Sequence, residues 1–375
     1  MPQTITLNKK IKSFDKTIQV SGDKSISIRW LLFSSLASGV STAKNLLMSQ
    51  DVIATIKAIK KLGIKVSLKN DTCKVYGKGI NGYTYKKNLS INAQNSGTLG
   101  RLIMGLLINS KFPIKITGDN SLSKRDFKRI SDPLTKFGAK FKLTNKKNLP
   151  LVMSGSSKLK PIKYVENRGS AQCKSSVIFA GMRTEGTTKI KAKKSRDHTE
   201  AMSKYLRLPI VIKKNKNYDE IEINKINKIK PLNYKIPSDI SSSSFFIVLA
   251  ALSKNSKLII KNVNINPSRI GIIYILKKMG VKIIFQNIKN YKGEKIANIK
   301  IESPKFLKSI NCPVKFNSGA IDEFLVIFLV AAKAKGVSYF KNLGELNQKE
   351  SPRLKWAEKI LTNLGVKTIT TNNSI

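Results

Sequence analysis

Cysteine, histidine and acid are all scarce in this 375-residue sequence. Its three cysteines, Cys73, Cys173 and Cys312, are odd in number. Their spacing suits neither a disulfide framework nor a zinc site, so a reducing, cytoplasmic setting is expected. The start, MPQTITLNKK, has no apolar stretch of the kind a signal peptide carries, and none is expected. The longest apolar runs, FFIVLAAL and FLVIFLVAA, are too short to span a bilayer. Asp plus Glu number 22 against 70 Lys plus Arg, a net charge of +48. Such an excess attracts nucleic acid, anionic membrane or acidic metabolites. The lysines, however, are spread over the whole chain beside many Ile and Asn, which reads as compositional drift on solvated faces. With no zinc-finger spacing and no RNP aromatic motif, no specific nucleic-acid partner is expected. At 41% hydrophobic the chain can bury a sizeable core, and its length suggests two domains.

What is present is a repeat. Five segments open with a small or polar turn and enter an apolar helix: SGDKSISIRWLLFSSLA, NSGTLGRLIMGLLI, GSAQCKSSVIFAGM, SDISSSSFFIVLAAL and GAIDEFLVIFLVAA. A strand-like stretch follows each, such as STAKNLL, PIKITGD, TTKIKAK, SKLIIKNV or VSYFKNL, and then a second, amphipathic helix. Four of these second helices end at Gly63, Gly138, Gly280 or Gly365 before a further strand, as a left-handed C-cap requires. The third copy, MSKYLRLPIVI, lacks that glycine and is expected to use Pro209 instead. The markers Ser25, Ser96, Ser170, Ser241 and Asp322 lie 71, 74, 71 and 81 residues apart by subtraction. Such units bury their apolar faces only against their siblings. A sixth marker would fall near position ~395 on this period, beyond Ile375. The architecture therefore has five units, or a sixth is missing.

The chemistry clusters at the helix starts. Uncapped N–H groups there make an anion site, and SGDKS adds Lys and Ser donors, with Ser25 and Arg29 on one face. A capped helix with exposed cations explains the same residues, and the P-loop spacing is absent. LSKRDFKR holds Lys124, Arg125, Lys128 and Arg129, either an anion fork or a solvated basic face. SRDHTE carries Arg196, Asp197 and the lone His198, which is read as a packing residue at a helix start, with Ser195, Asp197 or Thr199 as cap. GAIDEF places Asp322 and Glu323 at the mouth of an apolar helix. KESPR sets Glu350 between Lys349 and Arg353, the two cations four apart on one face of the next helix. Carboxylates held among cations suit separate acid and base roles; helix capping with a local salt bridge accounts for them equally.

SGDKSISIR, NSGTLGR, LSKRDFKR, SAQCKS, SRDHTE, SDISSSSF, NPSR, IDE and KESPR, in this order along nearly the whole chain, resemble the EPSP synthase family, the 3-phosphoshikimate 1-carboxyvinyltransferases. The resemblance implies an α/β (α+β) fold: a two-lobed, inside-out enolpyruvyl transferase built from βαβαββ repeats, five of six units being visible here. Residues 21–236 are expected to form a lobe of three units on the shikimate-3-phosphate side, and residues 1–20 with 237–375 a second, incomplete lobe. The implied reaction moves the enolpyruvyl group of phosphoenolpyruvate to the 5-hydroxyl of shikimate-3-phosphate and releases phosphate, in aromatic amino-acid biosynthesis. Carried over residue by residue, Lys24 bridges the substrates and assists proton transfer, Asp322 is the base and Glu350 the acid. Lys24, Ser25, Arg29, Ser170, Ala171, Gln172, Arg196, Asp322 and Lys349 match the shikimate-3-phosphate side. Lys24, Gly97, Thr98, Arg125, Gln172, Lys349 and Arg353 match the phosphoenolpyruvate side. No metal, cofactor or membrane partner is implied, and a cytoplasmic monomer is expected.

Three departures from the family stand out. Asp126 replaces the usual Pro in KRP, which adds negative charge beside Arg125, and Pro352 replaces an acidic residue. The family's later Asp-His-Arg motif and Lys find no counterpart, so a chain lacking the family's C-terminal part, and poorly active, is expected. The alternatives are an inactive or weakly active truncated homologue, or a basic nucleic-acid-binding protein on the same fold. UDP-N-acetylglucosamine enolpyruvyl transferase, which shares the fold, is disfavoured because LSKRDFKR is not its cysteine-bearing loop.

Overall fold

A computed structural model of the chain describes residue 6, residues 10–348 and residues 350–375. It divides into two compact units. Unit 1 holds the described residues up to Val20 with Ser238–Lys289 and Lys295–Ile375; unit 2 holds Ser21–Pro237 and Asn290–Glu294.

In chain order, β1 (Asp15–Ile18) precedes α1 (Lys24–Ser35), β2 (Ser38–Lys44), α2 (Gln50–Lys61), β3 (Lys65–Lys69) and β4 (Thr72–Lys78). The second copy is β5 (Leu89–Asn92), α3 (Gly97–Leu106), β6 (Ile114–Thr117), the short α4 (Asn120–Ser123), α5 (Lys128–Lys136), β7 (Lys140–Thr144) and β8 (Asn148–Ser154). The third is β9 (Lys163–Glu166), α6 (Ala171–Gly181), β10 (Thr188–Lys193), α7 (His198–Tyr205), β11 (Ile210–Lys214) and β12 (Tyr218–Ile223), after which comes β13 (Asn233–Lys235). The chain continues with α8 (Ile240–Leu252), β14 (Lys257–Asn264), α9 (Gly271–Lys278), β15 (Lys282–Tyr291), β16 (Glu294–Glu302), α10 (Asn317–Ala320), α11 (Phe324–Ala332) and α12 (Arg353–Asn363).

Four sheets repeat one topology: β13-β2-β4-β3, β5-β6-β8-β7, β9-β10-β12-β11 and β1-β14-β16-β15. In each, the first pair is parallel and the second antiparallel. The parallel pair needs a crossover, which in the second and third copies is the leading helix α3 or α6. The first and fourth copies exchange this opening strand: β1 completes the sheet of α8's copy, and β13 that of α1's copy. The leading helices of unit 2 are buried nearly all round, and Arg29, Arg101, Lys174 and Ser175 are buried along with their apolar residues. Among the described residues no helix is long and apolar enough to cross a membrane.

The fifth copy differs from expectation. It has α11 and α12 but, among the described residues, no sheet. VSYFKNL forms only a bridge from Tyr339 to Asn311, beside another between Lys308 and Lys335. Residues 366–371, expected as a strand after Gly365, carry none. Ile375 instead folds back and exchanges both backbone hydrogen bonds with Phe340, at 2.8 and 3.0 Å.

Gly63, Gly138, Gly280 and Gly365 all take the left-handed conformation, with φ of 81°, 112°, 95° and 76°. In the third copy the substitute is not Pro209: Arg207 itself adopts φ 55°, so the backbone geometry is kept at some strain. These caps give a stability prediction. Gly280→Ala meets nothing nearer than Phe306 O at 3.5 Å, so it loses only the left-handed preference, about 1–2 kcal/mol. Gly63→Ala adds a Cβ that would lie 2.2 Å from Thr84 Oγ1 and 2.6 Å from its carbonyl oxygen, and is expected to destabilise more. Urea unfolding of both variants ranks them; equal midpoints would contradict the steric argument.

Candidate active site

In unit 2 the crowding of cations at the start of α1 is resolved locally. Asp23, buried, caps the helix by accepting from Ile26 N at 2.9 Å, which places a negative charge against the positive helix end. Lys24 follows, with 47% of its side chain exposed and Asp51 Oδ2 at 3.9 Å. Ser25 is half-buried one residue on. Arg29 is only 3% exposed and is held by three oxygens. Its Nε donates to Thr199 Oγ1 at 2.7 Å, Nη1 to the Ser25 carbonyl at 3.1 Å and Nη2 to Ser175 Oγ at 3.3 Å. Burial pushes its pKa down to about 10, partly offset by Glu200 and Asp23.

The next two leading helices are capped by their own marker serines. Ser96 Oγ accepts from Leu99 N at 3.2 Å, and Ser170 Oγ from Cys173 N at 3.3 Å. Gly97 and Ala171 are the first residues of α3 and α6. Between these helices the Gln172 amide is fixed at both ends. Its Oε1 accepts from Arg101 Nη1 at 2.5 Å, and its Nε2 donates to Thr98 Oγ1 at 3.1 Å. Arg101 stacks on Phe127 at 4.9 Å, and burial, with Arg129 nearby, pushes its pKa down to about 9. Arg125 Nη2 donates to Asn95 Oδ1 at 2.8 Å and to Ser121 Oγ at 3.4 Å. A Cβ built on Gly97 would lie 2.8 Å from Arg101 Nη1 and 3.4 Å from Arg125 Nη1, so both guanidinium groups converge on this helix start. Asp126 turns its carboxylate to Arg129 N at 3.3 Å and Arg168 Nη1 at 3.6 Å. Arg196 is half-buried just ahead of α7. His198, the first residue of α7, is buried with Nδ1 2.6 Å from Glu294 Oε1.

In unit 1 one guanidinium gathers two of the expected catalytic carboxylates. Arg353 Nη1 donates to Asp322 Oδ1 at 3.1 Å and Nη2 to Glu350 Oε2 at 2.7 Å. Burial works against the charge of Arg353, but Glu350 and Asp322 outweigh it and raise the pKa. α12 begins at Arg353, and Lys349, expected on one face with it, lies outside the described residues. Behind Asp322, Glu323 is buried and receives a hydrogen bond from Ser241 Oγ. Ser241 in turn accepts from Arg269 Nη2 at 2.6 Å, and Arg269 lies 3.8 Å from Glu323. Asp239 caps this helix through Ser241 N at 2.6 Å and Ser242 N at 3.1 Å.

Arg101, Ser175, Thr199, Glu323 and Arg269 are absent from the residues carried over by resemblance. All five nevertheless stand inside the family stretches, Arg101 in NSGTLGR, Ser175 in SAQCKS, Thr199 in SRDHTE, Arg269 in NPSR and Glu323 in IDE.

The family model of EPSP synthase (3-phosphoshikimate 1-carboxyvinyltransferase) matches residues 8–375. The 3-phosphoshikimate 1-carboxyvinyltransferase of Ruthia magnifica subsp. Calyptogena magnifica is 40% identical over 361 residues, 96% of this chain and 81% of that relative. That of Caldicellulosiruptor bescii is 38% identical over 366 residues, 97% of this chain and 84% of its own. Among solved structures, an EPSP synthase from Acinetobacter baumannii superposes with a TM-score of 0.85 at 35% identity, covering 96% of this chain and 81% of that one. The expected loss of the family's C-terminal part is not shown: the family model aligns through residue 375, and the matches span 81% and 84% of the two relatives' own length. The chain belongs to the EPSP synthase family.

Proposed function

We propose that this chain transfers the enolpyruvyl group of phosphoenolpyruvate to the 5-hydroxyl of shikimate-3-phosphate, giving 5-enolpyruvylshikimate-3-phosphate and phosphate. Family membership supports the reaction. The observation that carries the assignment of roles is the Arg353 guanidinium holding Asp322 and Glu350 together.

Asp322 takes the proton of the 5-hydroxyl as its oxygen attacks C2 of phosphoenolpyruvate. Glu350 delivers a proton to the methylene carbon, giving a tetrahedral intermediate. Loss of a proton from the new methyl group then expels phosphate and restores the double bond. Lys24 assists proton transfer and meets both substrates. Ser25, Arg29, Ser170, Ala171, Gln172 and Arg196 bind shikimate-3-phosphate, together with Asp322 and Lys349. Gly97, Thr98, Arg125, Gln172, Lys349 and Arg353 take phosphoenolpyruvate. Arg101 belongs with them, since it fixes the Gln172 amide and its guanidinium converges with that of Arg125 on Gly97. Buried cations whose pKa values are pushed down gain most from an incoming anion, which supplies the missing counter-charge. The net charge of +48 speeds the arrival of such anions and opposes self-association, in keeping with a monomer. The three free, buried cysteines suit a reducing cytoplasm.

Formation of the enolpyruvyl product, followed by phosphorus NMR with both substrates present, tests the reading. No product from folded protein would reject it. Gly97→Ala probes the donor side. Its methyl group meets Arg101 Nη1 at 2.8 Å and narrows the space at the helix start. The KM for phosphoenolpyruvate is expected to rise roughly tenfold, about 1.4 kcal/mol, with the KM for shikimate-3-phosphate little changed. Equal changes in both would contradict the assignment.

A further inference from the structure

Behind Arg29 lies a group of buried polar side chains with no role in the reaction as written. Ser175 on α6 and Thr199 on α7 are fully buried, and their hydroxyls lie 2.7 Å apart. Both accept from the Arg29 guanidinium, Thr199 from Nε at 2.7 Å and Ser175 from Nη2 at 3.3 Å. The adjacent residues on the same two helices, Lys174 and Glu200, form a buried ion pair at 2.6 Å. The hydroxyl pair and the ion pair thus tie α6 to α7 at one level, and that level is where Arg29 is held.

A buried ion pair stabilises a fold no better than apolar residues of similar volume, so stability alone is a weak reason for Lys174 and Glu200. Fixing one geometry is a better one. A guanidinium binds an anion through a planar fork, and its value depends on where that plane points. Nε of Arg29 is committed to Thr199, while Nη1 and Nη2 each keep a second N–H beyond the bonds already made. The plane is therefore set from behind, and the edge carrying the two Nη groups is left to bind.

We propose that Thr199 and Ser175, braced by the Lys174–Glu200 ion pair, are positioning residues that aim the Arg29 fork at the anionic acceptor, shikimate-3-phosphate. This inference rests on the assignment of Arg29 to that substrate.

Thr199→Val, made in the full chain, tests it because it keeps the shape and removes the acceptor. Calorimetric Kd and KM for shikimate-3-phosphate are each expected to rise roughly tenfold, the effect of one lost hydrogen bond to a charged group. The KM for phosphoenolpyruvate should stay within about twofold on the same reasoning, since Thr199 makes no bond to the donor residues. Thr199→Ser, which restores the hydroxyl, should recover the unsubstituted values. If Thr199→Val fails to fold, Ser175→Ala, which removes the other acceptor, should produce the same split between the substrates at smaller size. Unchanged acceptor affinity in a folded Thr199→Val, or equal rises in both KM values that serine does not rescue, would overturn the inference alone. Absence of shikimate-3-phosphate binding by the unsubstituted chain would overturn the acceptor assignment, and this inference with it.

Discussion

Asp322→Asn is expected to lower kcat by roughly 10²–10⁴-fold, the range that a positioned general base contributes. The amide oxygen can still accept from Arg353 Nη1, which now lies 3.1 Å from Asp322 Oδ1, so the local arrangement should survive. What the amide cannot do is take the 5-hydroxyl proton. The loss should therefore fall on kcat, with both KM values within a fewfold of wild type, the pattern of an interaction realised only in the transition state. Steady-state kinetics with each substrate varied in turn decides the matter. A variant retaining more than about a tenth of wild-type kcat would place the base elsewhere.

The second large effect is expected at Arg353. Arg353→Lys keeps a positive charge but loses the fork, and a single ammonium cannot hold both carboxylates in the present geometry. Arg353 is 19% exposed, Asp322 28% and Glu350 44% at their side chains, so solvent screens part of the loss. A fall in kcat/KM of roughly 10²-fold is expected, near the lower end for truncating a hydrogen-bonded charge pair. A sign also follows. Cation and carboxylates favour each other's charged forms, so weakening the cation favours protonated carboxylates. The acid limb of the kcat/KM profile should move to higher pH in Arg353→Lys. A limb that stays in place or moves to lower pH would contradict the bridging role.

Much of this was legible because it is local. A helix that closes on Gly63, Gly138, Gly280 or Gly365 declares itself in a few residues, since the left-handed position tolerates little else. The marker spacing gave the repeat, and four of its copies share one sheet order. Arg207 was missed for the converse reason: a long side chain occupies the left-handed position, and the nearby Pro209 offered a more familiar stop. The missing sheet of the fifth copy was invisible because VSYFKNL has a strand's composition, and pairing depends on a distant partner. The supporting residues were hidden by distance along the chain. Arg29 and Thr199 are 170 residues apart, Arg101 and Gln172 71, and Ser241 and Glu323 82. The motifs contain both the residues that meet substrate and those that hold them, but not which holds which. Asp126 is a related case. Adjacent to Arg125 in sequence, it turns its carboxylate to Arg129 N and to Arg168.

The most direct measurement is phosphate release from phosphoenolpyruvate by this chain, with and without shikimate-3-phosphate. The account predicts release only when both are present, and its near-complete loss in Asp322→Asn. Release that is independent of shikimate-3-phosphate, or none at all from folded protein supplied with both substrates, would contradict it.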